Sequence, residues 1–592
     1  MISRLVFLVL LAGSLISLPC AGAADEDAQL AQFFKTYLDD QFKLQPYSAT
    51  RAGDHRFDQL LEDVSTKARD QWKELDKRTL ERLSKEIAYQ KLSRAGQIDF
   101  EILKHSLTRS LWLAENTRPF EEDPRVYNEY ITGCTYELLS RSTLPQATNV
   151  KNSIARMAFI PRIVTTAKES LRNPPRVFVE TAIKQNRGAI SYYENGIFQM
   201  AGETPQLSEL KPAAKPVVEA LKDYQKFLEK DLLPKAKGDW RLGTEKFAQK
   251  LILELDAGLT AEEVVREAET EFERVQRDLY VIARQMWSQV LPGKPLPADD
   301  AEGRRETITQ VLDKIGQEHG NPEDLLRDTQ DCVERIKAFI GDQNILRLPD
   351  PDNCKVIEMP EFQRGNTVAF LNPAPPLDDK AFSYYAVSPP PREWNPRQIK
   401  SFMEEYNRHM LQILSIHEAY PGHYVQLEYA NRNPSLIRKM LSTGVFEEGW
   451  AVYTEQMMLD QGYGKGDLAL RMQQLKFYLR AVANAILDYK MHCTPFSDEQ
   501  AMVFLMKNVF QTEGEALGKV IRSKQSSCQL STYFVGRTAF YRLRQQIERE
   551  QSVKFNLGRY HEAVLDLGTP PVKYLPELVR ARLIKSTDTS RP

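Results

Sequence analysis

Residues 261–290 read AEEVVREAETEFERVQRDLYVIARQMWSQV, and in them Val264, Ala268, Phe272, Val275, Leu279 and Ala283 recur three or four positions apart. That spacing lines one face of a helix, and the charged residues between them cover the other face. The same texture extends backwards to Glu26 and forwards to about Ile345, in stretches such as Ala28–Leu44 and Ala213–Leu233. It is interrupted at Asn173-Pro174-Pro175, at Leu291–Pro295 and at Leu348–Pro351, where proline lacks the amide donor a helix needs. A soft boundary is therefore expected near 346, between an N-terminal helical region (25–346) and a C-terminal region (347–592), the two together forming one unit. From Lys355 to Pro391 the texture changes to short β-prone runs, Thr367–Leu371 and Phe382–Val387, between proline-rich turns. Helical patterning resumes after Pro396 and persists to Glu548, so the expected fold class is mainly α with a minor β element near 355–391.

Composition excludes some functions. Apolar residues make up 42% and charged residues 27%, and 79 Lys and Arg nearly balance 81 Asp and Glu, which predicts no nucleic-acid partner. Arg4, the apolar run Leu5–Leu18 and the small residues Ala21-Gly22-Ala23-Ala24 read as a signal peptide over 1–24, cleaved after Ala23 or Ala24. The mature chain is then exported, to the periplasm or the exterior. Cys20 opens a lipoprotein alternative, against which stands Pro19, where a small residue is wanted. No later stretch is apolar enough to span a bilayer, so no stable membrane insertion is expected after signal cleavage. Beyond the signal, Cys134, Cys332, Cys354, Cys493 and Cys528 are an odd and scattered set, not a disulfide framework.

Only eight histidines occur, yet two lie in His417-Glu418-Ala419-Tyr420-Pro421-Gly422-His423, directly after the apolar run Met410–Ile416. Imidazoles bind zinc, and a carboxylate next to the first of them is placed to act as base toward an attacking water, as in His-Glu-x-x-His helices. Here the second histidine comes two residues late. Residues six apart on a regular helix differ by roughly 120° of rotation, so both histidines can reach one ion only if the helix is broken between them. Pro421 and Gly422 supply the means. The bland alternative is a helix ending at Tyr420, with unrelated histidines on either side. A third ligand is sought on a nearby helix, and Glu447 and Glu448 stand in the otherwise apolar segment Phe446–Thr454. Buried carboxylates are costly unless paired or metal-bound. Glu455, two turns beyond Glu448, can accept a hydrogen bond from a ligand histidine.

These residues resemble a known family. His-Glu-Ala-Tyr-Pro-Gly-His-Tyr-Val-Gln (417–426) and Glu-Gly-Trp-Ala-Val-Tyr-Thr-Glu (448–455) are similar to the bacterial domain of unknown function 885, which is grouped with gluzincin-type zinc metallopeptidases. The resemblance implies a large helical fold with a deep cleft, and it selects Glu448 over Glu447 as third ligand beside His417 and His423. It continues through Asp488-Tyr489-Lys490-Met491-His492 and through Arg522, Gln529, Tyr533 and Gly536, with Tyr489-Lys490 and Ser527-Cys528 departing from the family's pattern. It implies Tyr533, with His492 as a second donor, facing the carbonyl oxygen that gains charge. Asp488 is expected to orient His492, and Arg522 and Arg537 to contact a substrate carboxylate. The function so expected is a secreted Zn2+ peptidase acting on peptides, with Glu418 as general base. The alternatives are a peptide- or ligand-binding protein that keeps the fold without turnover, and a zinc hydrolase of non-peptide amides or esters.

Overall fold

Helices make up 74% of the chain and a three-stranded sheet is its minor β element, which is the mainly α fold expected from the patterning. The computed structural model describes residues 21–359, 369–392 and 394–588. Residues 1–20, with Cys20 and most of the expected signal peptide, lie outside them, as do Thr367 and Val368 of the first expected strand. No helix among the described residues is long and apolar enough to cross a membrane, and the five described cysteines are all free.

Seven helices carry the site, labelled here in chain order: α1 (Ala261–Val290), α2 (Arg408–Glu418), α3 (His423–Asn431), α4 (Gly444–Asp460), α5 (Leu468–Cys493), α6 (Glu513–Gln525) and α7 (Thr532–Gln551). The 261–290 pattern folds as read. Thr260 and Glu263 cap one another's backbone amides at its start, and it stops at Leu291 before Pro292. Its stripe Val264, Ala268, Phe272, Val275 and Leu279 is buried, and α1 packs along α5. Burying each large apolar side chain stabilises the pair by about 1.5–3 kcal/mol. Helix α5 is buried on nearly every side, as a central helix must be, and its buried Lys476 is paired: Nζ reaches both oxygens of Glu405, at 2.7 and 2.9 Å.

One hydrophobic core gathers buried side chains from Phe247 to Leu583 and so contains residues on both sides of 346. A second gathers Tyr47 to Ala236, and a third joins Leu30–Leu107 to Ile437. In the second lies Arg156, fully buried, whose guanidinium donates to the carbonyls of Leu60, Cys134 and Pro46 and to Thr50 Oγ1. The sheet comprises β1 (Cys354–Glu358), β2 (Ala369–Asn372) and β3 (Ser383–Val387) in the order β1-β3-β2, with β3 parallel to β1 and antiparallel to β2. Two tyrosines tie the stretch before β1 to the histidine segment. Tyr420 donates to Asp352 Oδ1 at 2.6 Å, and Tyr424 Oη accepts from Asn353 N at 2.8 Å.

Candidate metal centre

Helix α2 begins where the Asn407 side chain accepts from the amides of His409 and Met410, and it is buried almost throughout up to His417. It ends at Glu418. Tyr420 N returns to Ser415 O (3.2 Å) and Gly422 N to Ile416 O (3.0 Å), longer loops than a helical turn, and α3 opens at His423. A Cβ on Gly422 would stand 1.9 Å from His417 O, so only glycine lets the chain fold back this tightly. From α4, Trp450 Nε1 donates to Pro421 O at 2.8 Å and fixes the loop. The break falls where Pro421-Gly422 foretold it. The helix does end before His423, as in the bland alternative, yet the turn brings the two imidazoles together, perpendicular and with centroids 4.8 Å apart.

Helix α4 supplies Glu448. Its Oε2 lies 3.3 Å from His423 Nε2 and 3.7 Å from His417 Nε2, and one ligand atom from each of the three residues lies within 4.8 Å of the others. That oxygen is buried and has no hydrogen-bond partner, an arrangement that suits a cation between the three groups. Glu455, fully buried, meets His417 Nδ1 at 2.7 Å, which leaves Nε2 to face Glu448. Electrostatics carry the same mark. Burial works against charging His417, but Glu448 and Glu455 outweigh it and push its pKa to about 10. Burial likewise works against the Glu448 carboxylate, but the two imidazoles hold it well below the usual range. Burial raises Glu455 to about 7 despite His417.

Glu418 is aimed by the small sheet: its Oε2 accepts from Leu371 N on β2 at 2.9 Å. Tyr533 is positioned by a close helix crossing. Where α4 meets α7, a Cβ on Gly536 would stand 1.9 Å from Val445 O and one on Gly449 would stand 2.4 Å from Gly536 Cα, so the two backbones touch beside Glu448. Tyr533 lies one turn before that contact. Burial first, then the charge of Glu448, raises its hydroxyl to about 12, against Arg522 and Gln529, whose side chains donate to it at 3.0 and 3.4 Å. It therefore keeps its proton at neutral pH.

Three expected residues are engaged elsewhere. His492 was expected to donate at the reacting carbonyl, but its Nε2 is spent on the carbonyls of Ser523 and Ser526, both at 3.0 Å, and its ring packs on Phe247 and Trp240. Asp488 does not orient it. That carboxylate instead accepts from Cys528 N (3.0 Å) and Ser531 Oγ (2.8 Å) and fixes the turn that leads into α7. Arg537 is buried between the rings of Tyr478 and Tyr541, with Gln456 and Glu271 facing its guanidinium, so it is not free for a substrate carboxylate. Sequence reasoning missed the amide of Leu371, which meets Glu418.

The family model for bacterial proteins of unknown function, DUF885, matches residues 46–579. The chain belongs to the DUF885 family. No curated protein matches it. A candidate lipoprotein of unknown function from Shewanella oneidensis superposes on this DUF885 chain with a TM-score of 0.78 at 29% identity, covering 93% of this chain and 99% of its own. A candidate lipoprotein from Colwellia psychrerythraea does so at 0.77 and 18% identity, covering 95% and 99%, a likeness of fold alone.

Proposed function

We propose that this DUF885 protein is an exported zinc-dependent peptidase of the gluzincin type, with the ion held by His417, His423 and Glu448. The observation that carries this reading is the buried, unpaired Glu448 Oε2 facing two imidazole Nε2 atoms, with Glu418 next in the chain to His417. Two nitrogens, one carboxylate and an open position suit zinc. When bound, the ion supplies a Lewis acid that polarises a carbonyl and acidifies a water.

The chain's own residues do the rest. Glu418, oriented by the Leu371 amide, takes the proton of the attacking water and delivers it to the leaving amine. Tyr533, protonated at neutral pH, donates to the carbonyl oxygen as it gains charge. Glu455 holds His417 in the tautomer that presents Nε2. An intact base beside the ligands favours hydrolysis over binding alone, because holding an ion needs no base. The lipoprotein description of the Shewanella and Colwellia relatives supports export, with Cys20 as the residue to examine for lipid.

The test is hydrolysis of a mixed peptide library by the wild type and by Glu418→Gln, with metal content measured in both. Cleavage lost in Glu418→Gln while metal is retained is the expected outcome. A wild type that holds zinc and cuts no peptide would refute the peptidase reading.

A further inference from the structure

The segment 373–378, which directly follows β2, is held by the N-terminal helical region at four points. Pro373 O accepts from Arg141 Nη2, Leu377 N donates to Ala52 O at 2.8 Å, Asp378 Oδ2 accepts from Thr143 Oγ1 at 2.6 Å, and the same oxygen lies 3.4 Å from His55 Nε2. The fit is tight: a Cβ on Gly53 would stand 2.8 Å from Asp378 N. Strand β2 ends at Asn372, and its Leu371 amide is the donor that aims Glu418. Whatever fixes 373–378 therefore fixes the strand against which the base rests.

Of these four donors only His55 changes charge near neutral pH. Its ring stands between two carboxylates, Nδ1 lying 2.8 Å from Asp58 Oδ2 while Nε2 faces Asp378. A neutral imidazole has one N–H, so it serves one carboxylate and turns a lone pair on the other, whereas the imidazolium serves both. Asp58 has further support, its Oδ1 accepting from Thr50 Oγ1 at 2.6 Å with Arg156 3.9 Å away. No cation other than His55 pairs with Asp378 among the described residues, and Arg56, next to His55, is taken up by Asp54 and Asp39. The hydrogen bond with Asp58 raises the pKa of His55 above 6.5, with Asp378 adding to the rise and burial opposing it. The bridge is thus complete below pH 6.5 and is lost as pH climbs through the raised pKa.

We propose that His55 is a positioning residue for the base: as imidazolium it bridges Asp58 and Asp378, clamps 373–378 onto the N-terminal helices, and so keeps the Leu371 amide on Glu418. The bearing on catalysis rests on the peptidase reading, and the clamp itself does not.

The test follows full-length protein with zinc added, from pH 5.5 to 9, by hydrogen exchange of peptides spanning 369–378, corrected for the intrinsic pH dependence of exchange. Histidine labelled with 13C at Cε1 reports the protonation of His55, assigned by the signal missing from His55→Gln or by the one whose titration moves in Asp378→Asn. Protection is expected to fall at least about fivefold as His55 loses its proton, and kcat on a peptide to fall with it at little change in KM. Asp378→Asn separates this clamp from mere packing. Lys380 N holds the Oδ1 position at 3.1 Å and so selects the amide oxygen there, which turns the amide nitrogen toward His55 Nε2. A neutral imidazole can then bridge, so the variant should keep the wild type's low-pH protection and kcat and lose this pH step. Wild-type protection that stays constant while His55 titrates, a step of undiminished size in Asp378→Asn, a His55 already neutral at pH 6, or a kcat that does not follow the protection step would each overturn the proposal. If protection behaves as expected but the wild type cuts no peptide, the peptidase reading falls and the clamp stands.

Discussion

His492 offers a prediction in which a structural role and a catalytic one give different numbers. Burial lowers its pKa from 6.5 to about 4, its Nε2 being donated to two carbonyls, so the folded protein holds it neutral. The unfolded chain binds a proton near pH 6.5 and the folded chain does not until about pH 4. Stability is therefore unaffected above 6.5 and falls as pH drops through the window from 6.5 to about 4. At about 1.4 kcal/mol per pH unit, the loss from this one residue is about 2 kcal/mol by pH 5 and about 3 kcal/mol by pH 4. In His492→Gln the amide can still donate to Ser523 and Ser526 but cannot protonate. Urea unfolding followed by tryptophan emission at pH 7.5, 6.5, 5.5 and 5.0 should show the variant less acid-sensitive than the wild type by about 2 kcal/mol at the lowest pH. Peptide hydrolysis at pH 7.5 should be within about twofold of wild type, since the ring contacts no reacting atom. Equal pH slopes, or a hundredfold loss of kcat in the variant, would refute the reasoning.

Gly536→Ala should be disproportionately harmful for a single methyl: its Cβ would fall 1.9 Å from Val445 O, backbone that cannot step aside, so α7 must shift against α4. A loss of about 1–3 kcal/mol in unfolding, with a fall in kcat as Tyr533 moves, is expected. Glu455→Gln should weaken metal binding about 10–100-fold, measured by competition with a chelator, because it removes the carboxylate on His417 Nδ1. Unchanged affinity would show that Glu455 serves packing only.

The mainly α fold was legible because apolar spacing along helices such as 261–290 is dictated by the core those helices must build, and that core formed. The sheet's existence was legible too, but not its role. Nothing in the side chains of 369–372 tells that a backbone amide there will meet Glu418, since every residue but proline carries that amide. The histidine pair was readable because the odd spacing came with Pro421 and Gly422; apolar company pointed to Glu447 and Glu448 alike, and the family resemblance chose Glu448. His492 and Arg537 misled for one reason. Polar residues on buried helix faces are as often satisfied by carbonyls and aromatic rings as by substrate, and only the three-dimensional neighbours of a group, such as Phe247 and Trp240 around His492 or Tyr478 and Tyr541 around Arg537, separate the cases.

The claim on which the rest depends is that His417, His423 and Glu448 hold one metal ion. Elemental analysis of the purified protein, wild type beside His423→Ala, tests it most directly. The account predicts close to one equivalent of zinc per wild-type chain and loss of nearly all of it in a variant that remains folded by circular dichroism. A wild type without stoichiometric metal, or a His423→Ala protein that keeps its full complement, would contradict it.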